Sequence, residues 1–265
     1  MNRILLFILT VLLYRPAAAQ LDTLSFFQKV QALYYTVESS GLQNFSMWIT
    51  SDYYRRNTDS TITANGYPLE FIWMRPDRMS FIKGALNNPA GTDSAQIQLA
   101  QKLQLDMYYE LKGLFYDWLR FYGSGILADL PADYDLTVQQ DTVIIKYETR
   151  EQAQKMRVCL FFGLNALCFK LQLTYLDSEQ EIYIYPSFTY LGTKWLCSGW
   201  QVQIFEKAEV QSGFNLQISS EKLDNYWFPK KITMQLQTKQ IEPVIYTREY
   251  YIANIMVNRP IEVRD

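Results

Sequence analysis

From residue 135 onward the chain alternates apolar and polar side chains with period two, broken only by short polar turns. Phe169, Leu171, Leu173 and Tyr175 alternate with Lys170, Gln172 and Thr174, and Trp200, Val202 and Ile204 alternate with Gln201 and Gln203. Successive side chains of a strand point to opposite faces, so this pattern predicts strands with one apolar and one polar face. Turns such as Gln140-Asp141 and Gly163-Leu164 are short enough to join antiparallel neighbours. Three further strands are expected at 45–54, 69–74 and 79–83, the last two flanking the turn Arg75-Pro76-Asp77-Arg78. The residues after Tyr54, 55–59, read as a polar turn, and strand character returns briefly from Thr61. Consecutive hairpins on this scale predict one large antiparallel sheet of about ten or eleven strands, which must curl.

A curled sheet has a concave apolar face, and only two helical segments are available to cover it. Residues 24–39 place Phe27, Val30, Leu33, Tyr34 and Val37 on one face, with Asp22 or Ser25 as cap and Gly41 as stop. Residues 93–122 repeat apolar side chains at Ile97, Ala100, Leu103, Met107, Leu111, Leu114, Trp118 and Tyr122. The opposite stripe holds Lys102, Asp106, Glu110, Gly113, Asp117 and Arg120; Asp93 is the N-cap and Gly123-Ser124-Gly125 the stop. Tyr108, Phe115, Tyr116 and Leu119 widen the apolar surface of the second half. Such a helix completes an ordinary core, or serves as a lid or plug over a lipid-sized cavity. Gly113, mid-segment, marks an expected kink or hinge. The fold class expected is therefore mainly β, an incompletely closed antiparallel barrel covered by helical segments.

The first nineteen residues read as a signal peptide: Asn2 and Arg3, an apolar run at 4–13, and Ala17-Ala18-Ala19 before the cut. No Cys follows that site, so a lipid-modified N-terminus is not expected. The remaining residues, 20–265, read as a single domain that is soluble and periplasmic or secreted, with no stable membrane insertion. Loss of Arg3 and Arg15 takes the formal charge from −2 to −4. Without a basic stripe, nucleic acid is not an expected partner. The chain has no His, which removes every His-based triad and most zinc sites. Ser124 and Ser198 have no partner base, Asp106 and Glu110 read as a solvated pair one turn apart, and no glycine loop suits a phosphate. No cofactor, metal site or catalytic residue is expected, and the reading is a non-enzyme. Of the three cysteines, Cys159 and Cys168 flank the turn at Gly163-Leu164. A two-residue turn would set them opposite each other at bridging distance; otherwise they are buried thiols.

Several short motifs accumulate along this order of elements. Leu42-Gln43-Asn44-Phe45-Ser46-Met47 enters the first strand, and residues 71–81 carry strand, Arg-Pro turn and returning strand with Phe81. Phe162-Gly163-Leu164-Asn165-Ala166-Leu167 forms a mid-chain turn, and Trp227-Phe228-Pro229-Lys230-Lys231 precedes a long strand pair. In these features the chain resembles the periplasmic lipoprotein-carrier family, the LolA/LolB-like proteins and their outer-membrane lipoprotein-sorting relatives. The resemblance implies a half-barrel with a helical lid, an apolar cavity, and non-catalytic binding of lipids or lipoprotein acyl chains. It also implies that an Arg helps hold the lid, although Arg75 matches the Arg-Pro motif and equally reads as an exposed turn residue. The expected ligand-binding residues are Trp48, Phe71, Trp73, Phe81, Phe169 and Trp200 on strands, with Met107, Leu111, Leu114, Phe115 and Trp118 on the long helix. The alternative is a sensor, assembly or interaction module on the same fold, with an envelope protein as partner and no lipid transport.

Overall fold

The computed structural model describes residues 22–259 except 60, 64–65, 77, 88–92, 152–153, 179 and 239–244. The expected signal peptide and most of the loop at 87–91 lie outside the described residues. In chain order the elements are α1 (Thr23–Leu33), β1 (Asn44–Ser51), α2 (Asp52–Asn57), β2 (Leu69–Met74), β3 (Arg78–Lys83) and α3 (Ser94–Tyr122). Nine strands follow: β4 (Asp135–Gln139), β5 (Thr142–Glu151), β6 (Gln154–Gly163), β7 (Cys168–Tyr175), β8 (Gln180–Tyr190), β9 (Trp195–Glu206), β10 (Glu209–Leu223), β11 (Tyr226–Thr238) and β12 (Ile245–Val257).

All twelve strands belong to one antiparallel sheet in the order β3-β2-β1-β12-β11-β10-β9-β8-β7-β6-β5-β4. This is a mainly β fold of the expected kind, with a strand or two more than expected. β4 to β12 form a continuous meander, and the last strand then pairs with the first, Ile49 opposite Ile252. β3 and β4 are the two edges, so the sheet is not closed into a barrel. Phe45, Met47 and Ile49 lie opposite Trp73, Phe71 and Leu69 and are buried with them. The same face continues through Phe228, Ile232 and Met234, then Leu216, Trp200, Ile184, Leu171 and Leu160. One apolar face therefore runs across the sheet, and α1 and α3 pack on it.

α3 lies lengthwise along one wall of the curl. Near its start Gln104 reaches the ends of β2 and β3, Phe115 packs on Phe71 of β2 at 4.5 Å, and at its end Tyr122 meets Phe45 of β1 at 6.4 Å. Phe121 crosses to Trp200 of β9 and Phe188 of β8. The Asp93 carboxylate accepts from the Ala95 N–H at 3.0 Å, as expected of an N-cap. The helix continues without interruption through Gly113, and a Cβ on Gly113 would enter open space. α1 covers the other wall, with Phe26 edge-on to Phe162 of β6.

Several local expectations are corrected. The first helix ends at Leu33 rather than near Ser39, because Tyr34 leaves in extended conformation and bridges Trp195. Tyr35 N–H then donates to Trp195 O at 2.9 Å and Val37 N–H to Tyr122 O at 2.8 Å. Thr36, Ser39 and Ser40 also bond backbone groups locally, a competition that disfavours helix. The polar stretch after β1 is the short helix α2, because the Ser51 hydroxyl caps it by accepting from Tyr54 N–H at 3.0 Å. Around Thr61 the described residues form a single bridge, Thr63 to Leu86. Cys159 pairs with Gln172 and Cys168 with Phe162, so the two cysteines are not opposed. A bulge between Phe161 and Phe162 shifts the register, and all three cysteines are free and buried.

Candidate functional site

The expected ligand residues divide into two groups. Phe71, Trp73, Met107, Leu111, Leu114, Phe115, Trp118 and Trp200 are buried, and Phe81 is partly buried. Phe71, Phe81, Phe115 and Trp118 form one ring cluster, with centroids of Phe81 and Phe115 5.5 Å apart and of Phe115 and Trp118 5.2 Å apart. Trp118 stacks on Tyr122 at 4.0 Å and Phe45 on Trp73 at 5.6 Å. Met107 meets the Ser51 hydroxyl at 3.4 Å, and Trp200 packs on Phe121 at 5.9 Å. These side chains are core beneath α3. Trp48 and Phe169 are not among them. Trp48 lies on the opposite face of β1, in register with Glu70. Phe169 is the extra residue of the bulge, so the alternation slips there and the ring is 46% exposed beside Phe161.

Polar links tie α3 to the sheet at intervals along its length. The buried Gln104 amide donates to Pro68 O at 2.7 Å and Gly84 O at 2.9 Å. Glu110 and Arg248 form an ion pair at 2.6 Å beside the buried Tyr250. Burial raises the Tyr250 phenol and the Glu110 charge raises it further, so the ring is neutral at ordinary pH. The Tyr122 hydroxyl, raised by burial, donates to Trp227 O, while Trp227 N–H donates to the Tyr35 hydroxyl at 2.9 Å. Arg75 pairs with Glu38 at 3.3 Å, which joins the turn after β2 to the segment after α1.

Burial is not uniform along the concave face. One cross-strand row reads Leu171, Ile184, Val202, Phe214, Leu236 and Tyr246. Its first three members are buried, Phe214 and Leu236 only partly, and Tyr246 is 54% exposed. The next row outward holds Leu173, Ile182 and Ile204, of which Ile182 and Ile204 are again partly buried. Ile182, Ile204, Phe214 and Leu236 thus form an apolar ledge on the concave face, at the end of β8–β11 away from Phe188 and Phe228. The period-two pattern puts these residues on the apolar face, but no sequence signal marks where helical cover stops.

Open depressions lie elsewhere among the described residues. A groove of about 810 Å³ crosses the outer face of β4–β8 and is lined by Asp135, Lys146, Gln172, Thr174 and Glu181, with Arg157 paired to Glu148 at 3.1 Å. Its lining of mixed charge does not suit an apolar chain. A pocket of about 300 Å³ lies between the end of α1 and the residues following α3, near Arg75. Among the described residues no group of three or more His, Cys, Asp or Glu could hold a metal ion. No described helix is long and apolar enough to cross a membrane. No family model, curated protein or solved structure matches the chain.

Proposed function

We propose that this protein is a non-catalytic envelope carrier or binding protein for lipid acyl chains, with its seat on the ledge formed by Ile182, Ile204, Phe214 and Leu236. The observation that carries the reading is the graded burial along a single cross-strand row, from fully covered Leu171 to exposed Tyr246. Magnitudes decide between the ledge and the surface beneath α3. Lifting the whole helix would expose nine large apolar side chains, Leu103, Met107, Leu111, Leu114, Phe115, Trp118, Leu119, Phe121 and Tyr122. At about 1.5–3 kcal/mol each, that costs roughly 15–25 kcal/mol. A sixteen-carbon chain leaving water gains only about 10–13 kcal/mol at about 0.8 kcal/mol per CH₂. An acyl chain therefore does not displace α3 outright. The ledge needs no such exchange, because its side chains are only partly covered before any ligand arrives.

Displacement of a fluorescent fatty acid by oleate tests this reading. Wild type is expected to bind saturably, Phe214→Asp and Leu236→Glu to lose most binding while remaining folded in thermal melts, and Phe169→Ser to bind like wild type. A wild type without saturable binding would leave the second reading, a protein-interaction module. That reading is favoured by the filled interior under α3 together with Ile82 and Val138, which lie exposed on the edge strands β3 and β4.

A further inference from the structure

The solvent face of α3 is not uniformly polar. Lys102, Leu105, Tyr109, Lys112 and Tyr116 recur at spacings of three and four, so they form one continuous stripe on the side opposite Leu103, Met107, Leu111, Leu114 and Trp118. Leu105 is 37% exposed, Tyr109 66% and Tyr116 55%. Such exposure of large side chains in one line is not needed for packing, since the other side of the helix supplies the core. Lys112 of the stripe and Lys83 beside it both place their ammonium groups over the Tyr108 ring, 5.9 and 5.8 Å from its centroid. Lys83 belongs to the edge strand β3, so the basic group extends from helix to sheet. Of the acidic residues on this helix, Glu110 is turned to Arg248 at 2.6 Å, and Asp106 and Asp117 lie on the flank of the stripe. Lys83, Lys102 and Lys112, set against the flanking Asp106 and Asp117, leave one net positive charge here, in a chain whose formal charge is −2.

We infer that this stripe is a docking surface for an anionic lipid bilayer, with α3 lying flat in the headgroup region. Tyrosines with an apolar ring and a polar hydroxyl settle at the membrane–water boundary, and Leu105 enters the acyl margin between them. Lys83, Lys102 and Lys112 meet the headgroup phosphates, and their long stems reach past the apolar margin. The binding is peripheral. It also stands apart from acyl uptake, because it uses the outer face of α3 and leaves the ledge untouched.

The test is co-sedimentation of the full chain with vesicles of phosphatidylcholine alone, and of phosphatidylcholine mixed with phosphatidylglycerol. All variants share the apolar run at 4–13, so differences between them report the stripe. Wild type is expected to bind the mixed vesicles more tightly than the neutral ones and to lose that difference in high salt. Each lysine near an anionic surface is worth about fivefold in partitioning, so Lys102→Gln with Lys112→Gln should weaken binding to mixed vesicles about 30-fold. Tyr109→Ser with Tyr116→Ser should weaken binding to both kinds of vesicle. All four positions face solvent, so the melts of these variants should match wild type. The inference is overturned if the lysine pair and the tyrosine pair both bind like wild type. It is also overturned if the stripe mediates only self-association, seen as a dimer by sedimentation that the tyrosine pair abolishes without any change in lipid binding. Loss of vesicle binding with fatty-acid displacement intact, or the reverse, separates this surface from the ledge.

Discussion

Cys168 and Cys197 are fully enclosed, and burial pushes both thiols up, that of Cys197 to about 12. Burial likewise raises Tyr34, Tyr122 and Tyr250. In the unfolded chain thiols ionise near pH 8.5 and tyrosines near 10. Between those values and their higher folded ones the folded state holds more protons, so the contribution of these groups to stability is complete below about pH 8.5 and falls as pH rises beyond it. Urea melts at pH 7, 9 and 10 should show a falling midpoint; a constant midpoint would contradict the burial of these groups. Cys159 and Cys168 also lie out of register, so all three thiols should be alkylated after unfolding without reductant, and a mass showing only one would reveal a bridge. Packing makes an equally local prediction. Phe71 is enclosed by Phe45, Phe81, Phe115 and Trp118, so Phe71→Ala should cost about 3–5 kcal/mol. Phe169→Ser, on the bulge, should change stability by about 0.5 kcal/mol or less. Denaturant melts of the two variants check the contrast.

At the scale of elements, α3 is the piece whose behaviour decides most. Gly113 sits in its middle on the exposed side, with nothing near the position of an added Cβ and no positive φ. Glycine there costs helix stability and has no packing reason. Gly113→Ala should stabilise the protein by about 1 kcal/mol. If it also leaves fatty-acid displacement unchanged, α3 binds as one body and no hinge at Gly113 serves uptake. The helix was legible in the sequence to within a residue at each end, because Asp93, Gly123 and a sustained apolar stripe all agree. α1 was legible only at its start. Tyr34 and Val37 continue a helical spacing, but Trp195 and Tyr122 take their backbone bonds, and those partners lie far along the chain. α2 is not legible in the sequence because its start rests on the Ser51 hydroxyl and its stop on the bonds of Thr58 to Tyr54 O.

For the whole molecule, period-two alternation made the open antiparallel sheet readable from the sequence, since a face that must be buried fixes the register of each strand. The pairing of β1 with β12 was not readable, because no local signal joins strands at opposite ends of a chain. The candidate site was half readable for the same reason. Alternation separates Ile182, Ile204 and Leu236 from their polar neighbours, but how far each is covered depends on which distant segments pack across the sheet. Phe71, Phe115 and Trp118 were readable as apolar and became core, not ledge, once the helix was placed on them. The most direct test of an acyl seat on the ledge is photolabelling with a fatty acid carrying a diazirine on its chain, followed by peptide mass spectrometry. The account predicts labels on the strand segments around Ile182, Ile204, Phe214 and Leu236, suppressed by excess oleate. Labels confined to the segments around Phe71 and Phe115, or labelling that oleate does not suppress, would contradict it.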